Sequence, residues 1–110
     1  MESQLTAQER TQQMLHELGF STRHVGYKVL CIAIPRYAQN SSQSITKELY
    51  PSLRKQFGYR RPTAVEHPIR YAIGEAWAHG DPDAWKARFP ACRKAPSNME
   101  FIATISEQLK

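Results

Sequence analysis

Six side chains within residues 44–80 carry a standing positive charge: Lys47, Arg54, Lys55, Arg60, Arg61 and Arg70. Three carboxylates, Glu48, Glu66 and Glu75, oppose them. Residues 1–43 hold four bases and three acids, and residues 81–110 five and four, so the basic surplus sits in the middle of the chain. Clustered Lys and Arg suit a polyanion, because each neutralised phosphate releases condensed counterions. A net charge of +5 serves solubility equally well, and charge alone leaves both readings open. Other groups in the segment are suited to reading base edges. A glutamate such as Glu66 can accept a hydrogen bond from cytosine N4, and an arginine can donate two to guanine. Other chemistry does not assemble. His16, His24, His67 and His79 lack metal-ligand spacing with one another or with Cys31 and Cys92. Asp81 and Asp83 are explained by helix capping, and neither a glycine-rich phosphate loop nor a nucleophile motif is present. The expectations are no metal, no cofactor and no enzymatic activity.

Charges that meet a polyanion in register need a rigid carrier. Pro51 suits a first helical position, where the amide it lacks would be unbonded, and Gly58 suits the residue just past a helix end. This predicts a short helix over residues 51–57 and a turn over 58–62 carrying Arg60 and Arg61. A long helix follows over about 63–79, stopped by Gly80. At 100° per residue Val65, Ile69, Ala72, Ile73, Ala76 and Trp77 share one face, the period of a core-facing helix. Ala64, His67, Tyr71, Gly74 and Ala78 lie opposite, flanked by Thr63 and Arg70. Short helix, glycine-containing turn and longer helix are the parts of a helix-turn-helix, whose second helix enters the major groove N-terminus first. Two features of its tip stay open. Glu66 either contacts DNA or closes a Thr63–Glu66 capping box. Pro68 either crowds the carbonyl of Ala64 or marks a later helix start.

The remaining chain reads as more helix. Thr6 with Glu9 makes a capping box for a first helix with Met14, Leu15 and Leu18 inward and Gly19 at its end. Residues 1–5 are expected to fray. A second helix over about 24–37 places Leu30, Ala33, Ile34 and Tyr37 on one face, with a kink or early end expected at Pro35. After a polar loop, Ser44 caps a short helix over 44–50. Asp81 caps another that carries Trp85 and Phe89. Ser97 and Glu100 cap the last, whose stripe is Phe101, Ile102, Ile105 and Leu109. The expected fold is all-α: one domain, residues 1–110, a compact bundle of about six helices. The polar N-terminus lacks a signal-peptide core and no stretch approaches a membrane span, so a cytoplasmic location is expected.

A set of residues in one order along the chain carries a family resemblance. They are Ser44-Ile45-Thr46-Lys47, Leu49-Tyr50-Pro51, Phe57, Val65-Glu66, Ile69-Arg70, Ala72-Ile73, Ala76-Trp77 and Gly80. His16-Glu17-Leu18-Gly19 and Gly26-Tyr27 continue it upstream, and Lys94, Pro96, Asn98, Glu100-Phe101-Ile102-Ala103 and Leu109 downstream. Through them the chain resembles the DNA-binding effector domain of the master regulator of sporulation initiation in endospore-forming bacteria. The resemblance implies a transcription factor that binds short boxes in double-stranded DNA. It assigns Glu66 and Arg70 to the DNA interface, and Ala64, His67 and Tyr71 stand at positions where the family contacts DNA; Lys47 and Thr63 are expected to join them, and Arg60 and Arg61, at the mouth of the second helix, are either phosphate contacts or solvated turn charges. A second copy on tandem boxes and RNA polymerase are further candidate partners. Phe101, Ile102 and Ile105 are candidates for the contact between copies, or else complete the monomer core. The chain departs from the family where it has Ala64 and His67, positions at which the family reads bases with arginine, and where Tyr71 replaces a histidine. Pro35 and Pro68 are also foreign to the pattern. An altered box preference follows. The rival expectation is a degenerate effector acting as a protein interaction module. In the family a phosphorylated receiver precedes this domain. Here the residues before position 44 match the effector domain itself, which leaves a free-standing effector and an excised piece both open.

Overall fold

The computed structural model describes residues 5–110, and the expected fraying of residues 1–4 lies outside them. Among the described residues there are six α-helices and no strand. They are α1 (Ala7–Glu17), α2 (Val25–Gln39), α3 (Tyr50–Phe57), α4 (Glu66–His79), α5 (Pro82–Arg88) and α6 (Asn98–Leu109). The start of α1 is fixed locally: Thr6 accepts from the Glu9 amide and the Glu9 carboxylate accepts from the Thr6 amide. Asp81 and Ser97 cap α5 and α6 in the same way, accepting from the amides of Asp83 and Glu100. Glu100 does not close its capping box; its carboxylate accepts from the Cys92 thiol instead.

The long helix α2 runs through the middle and packs on α1, α4 and α6. It does not end at Pro35 but continues to Gln39. The helix survives a lost backbone bond, worth about 3 kcal/mol, because tertiary contacts hold both sides of it. Ala33 and Ile34 are fully buried, Ser106 of α6 donates to the Ile34 carbonyl at 3.2 Å, and Arg36 reaches Ser52 and Gln56 on α3. Tyr37 is only partly buried.

The helix expected over 44–50 is instead a single π-helical turn, Ile45–Leu49, that runs directly into α3. The amide of Leu49 reaches back to Ser44 at 3.0 Å and that of Tyr50 to Ile45. The widened turn directly precedes Pro51, which has no N–H with which to continue an i→i+4 ladder.

The aromatic core gathers at one end. Phe20, Trp85, Phe89 and Phe101 are buried with ring centroids 5.3–6.3 Å apart. The Trp85 indole N–H lies within hydrogen-bond reach of two carbonyls, Leu18 at 2.9 Å and Ala76 at 3.1 Å, so it joins the ends of α1 and α4. Trp77, expected in the core, is half-buried and meets Trp85 edge-on at 5.1 Å. Trp85 occupies the interior site, and Trp77 covers it. Phe101, Ile102 and Ile105 are 0% exposed. They fill the core between α6 and α2, and the expectation that they touch a second copy is corrected accordingly.

Candidate nucleic-acid interface

The segment that carries the basic surplus is held from behind. Leu53 of α3 is fully buried, and Arg36 of α2 donates to Ser52 at 3.0 Å and to Gln56. At the end of α3, Gly58 adopts φ 74°, the left-handed conformation that glycine enters without a Cβ penalty. Arg54 then folds over the turn and donates to the Tyr59 carbonyl at 3.1 Å. Arg54 is thus a structural tie, despite its place among the six bases.

Arg61 is extended and leads into one turn of 3-10 helix, Pro62–Val65, before α4 begins at Glu66. The helix expected from Thr63 therefore starts as a tighter coil, and Thr63 is not its N-cap. No side-chain cap forms at either start, so the Thr63–Glu66 capping box is absent. Pro68 falls third in α4, within the first turn, where helix amides have no intrahelical acceptor. The tight entry keeps its ring out of the helix interior.

Two contacts fix where α4 sits. A Cβ on Gly26 of α2 would lie 2.0 Å from the Pro68 carbonyl oxygen and 2.8 Å from the Ala72 Cβ, so glycine is what lets α2 approach the first turns of α4. From the other side Asn98 donates to the Glu66 carbonyl at 3.0 Å. Burial of Tyr50 beneath this junction pushes its hydroxyl above the usual range. A hydrogen bond with Asn98 opposes the rise, the Glu66 charge adds to it, and the Arg70 charge opposes it.

On this frame Lys47, Arg60, Arg61, Thr63, His67, Arg70 and Tyr71 are exposed, and Ala64 and Glu66 are half-buried. Lys47 stands on the π turn, Arg60 and Arg61 on the loop, Thr63 and Ala64 on the 3-10 turn, and the rest on the first two turns of α4. Among the described residues the side chains of Lys47, Lys55, Arg60, Arg61 and Arg70 make no hydrogen bond or ion pair. Trp77 belongs to the far end of α4, as does Gly80, whose Cβ would lie 2.1 Å from the Leu18 carbonyl oxygen.

One neighbour was missed in the sequence. His24, just ahead of α2, packs edge-on against Tyr71 with ring centroids 5.1 Å apart, and its Nδ1 is buried without a hydrogen-bond partner among the described residues. Nothing in the spacing of positions 24 and 71 signals this; only the approach at Gly26 brings them together. No cluster of three or more His, Cys, Asp or Glu side chains suited to a metal exists among the described residues, and none of their helices is long and apolar enough to cross a membrane.

Residues 11–109 match the family described as sporulation initiation factor Spo0A C terminal. The members of that family are DNA-binding regulators of transcription in sporulation. With an all-helical fold and a helix-turn-helix in the matched segment, this chain belongs to the Spo0A C-terminal domain family.

Proposed function

We propose that the protein binds double-stranded DNA sequence-specifically and regulates transcription from sites that differ from the family's box. The first two turns of α4 enter the major groove, and Lys47, Arg60, Arg61 and Arg70 contact phosphates around it. The observation that carries this reading is the ring of exposed, unpartnered cations at the entry of α4, set against Arg36 and Arg54, which are consumed in holding the scaffold. A cation without an internal partner is free to exchange counterions for phosphate. Glu66, His67 and Ala64 face base edges, and the Tyr71 hydroxyl reaches a phosphate. Arginine is missing at positions 64 and 67, so guanine readout is reduced there. Binding to DNA places the protein in the cytoplasm with the chromosome. A second copy on tandem boxes would meet exposed groups of α6 such as Met99, since Phe101, Ile102 and Ile105 are enclosed.

Titration with random and family-box duplexes across a range of salt tests the proposal. Four phosphates neutralised by Lys47, Arg60, Arg61 and Arg70 give a log–log salt slope of about −4, and Arg61→Ala lowers its magnitude by about one. A folded sample that binds no duplex at about 50 mM salt would overturn the reading and favour the interaction module.

A further inference from the structure

The loop between α5 and α6, residues 89–97, is fastened at both ends and bare in the middle. At its start the Phe89 ring stacks on Phe101 at 5.4 Å and 11°, and the Cys92 amide donates to the Phe89 carbonyl at 3.1 Å. At its end Pro96 is buried, and Asn98 donates to the carbonyl of Glu66, the first residue of α4. Between these anchors the chain bends at Arg93 and Lys94, both exposed. Neither side chain forms a hydrogen bond or ion pair among the described residues. The nearby carboxylate of Glu100 accepts from the Cys92 thiol at 3.5 Å.

The loop's position relative to α4 is equally defined. Ala95, Pro96, Ser97 and Asn98 face Arg70, Ile73 and Gly74 across a groove of about 280 Å³. A Cβ at Gly74 would meet nothing within 4 Å, so that side of α4 is open. Arg93 and Lys94, without a side-chain partner among the described residues, thus directly precede the anchored stretch that shares this groove with Arg70.

We propose that the bend at Arg93 and Lys94 is a second phosphate-binding element. It grips the sugar–phosphate backbone beside α4 from outside the helix-turn-helix. The inference rests on the DNA-binding reading above and extends it. Anchoring at both ends matters, because a loop already held in place loses little conformational freedom when it closes on a strand. Contacts of this kind are blind to sequence and act on register and affinity alone.

The test is the salt slope of the double variant Arg93→Gln with Lys94→Gln, measured beside Arg61→Ala and Lys86→Gln. Lys86 is an exposed base on α5, beside Trp77 at the far end of α4. The double variant keeps the wild-type thermal midpoint and lowers the magnitude of the slope by about two, equally for random and box duplexes. Lys86→Gln leaves the slope unchanged. An unchanged slope in the double variant overturns the inference, as does an equal fall in Lys86→Gln, which would mean that net charge alone is felt. If the slope responds to Arg61 but not to Arg93 and Lys94, only this inference falls; if the wild type binds no duplex, both readings fall.

Discussion

Gly26→Ala is the smallest change that should disturb the site without touching it. The added methyl would stand 2.0 Å from the Pro68 oxygen and 2.6 Å from the Pro68 carbonyl carbon. That is more than 1 Å inside ordinary contact, and the obstacle is backbone, which cannot swing aside as a side chain can. Either α2 or α4 must move, and α2 is already engaged with α1 and α6. Overpacking of this kind costs about 1–3 kcal/mol, and a backbone obstacle favours the upper end. The helix propensity gained by replacing glycine with alanine returns at most about 1 kcal/mol. A net loss of about 2 kcal/mol lowers the thermal midpoint by about 8–16 °C in a domain of this size. Because the displaced element is the entry of α4, duplex affinity falls as well. Gly74→Ala is the matched control. It is the same chemical change in the same protein, but the new methyl meets nothing within 4 Å, so it stabilises by about 0.5–1 kcal/mol. Thermal denaturation of both variants, with duplex titration of the first, decides the matter. If Gly26→Ala melts at or above the wild-type temperature, the close approach of α2 to α4 is not what seats α4.

Three further outcomes follow from the same contacts. Trp85→Phe removes the one donor shared by the Leu18 and Ala76 carbonyls and should cost about 2–4 kcal/mol by denaturant unfolding; the remaining Trp77 emission should be quencher-accessible, since that ring is half-buried. Burial, with the neighbouring Cys31 adding to it, pushes the Tyr27 hydroxyl up from 10.0 to about 12. Its raised value means that its contribution is whole below pH 10 and is lost as pH rises towards 12; Tyr27→Phe should remove that part of the alkaline decline, whereas an unchanged profile would assign it to Tyr50 and other groups. Ala64→Arg with His67→Arg should shift selection from randomised duplexes towards the family box by about 1–3 kcal/mol per restored guanine contact, and wild-type recovery of that box would show that shape carries the specificity.

What could be read without the structure was what is local. The caps at Thr6, Asp81 and Ser97 depend on residues two or three apart, and each formed its expected bond to the helix amide. The stripe Val65, Ile69, Ala72, Ile73 and Ala76 is buried as its period demands. Trp77 shares that period but lies at its edge, where Trp85, eight residues on, took the interior place. Pro35 misled because a local penalty was weighed without the burial of Ala33 and Ile34 that offsets it. The entry of α4 was obscured for the opposite reason. Thr63 and Glu66 spell a capping box, yet the proline at 62 and the anchoring of Glu66 by Asn98 select a tighter coil. The division of labour among the bases was equally hidden, for Arg54 and Lys55 are neighbours in sequence and only the fold turns one inward.

The indole of Trp85 has a consequence for motion. By holding the Leu18 and Ala76 carbonyls at once, it makes release of the rear of α4 depend on opening the end of α1, 58 positions earlier in the chain. Local fluctuations that fray an ordinary helix end are therefore suppressed there, and the amides of the last turns of α4 should exchange with solvent deuterium only through global opening. The front of the same helix has no side-chain cap. Its amides, and those of the 3-10 turn before it, should exchange through small local openings. Helix α4 is thus clamped at the back and compliant at the tip. On the proposed DNA-binding reading, the ordering that accompanies entry into a groove falls on a few residues at that tip, while the body of the helix stays fixed on the core.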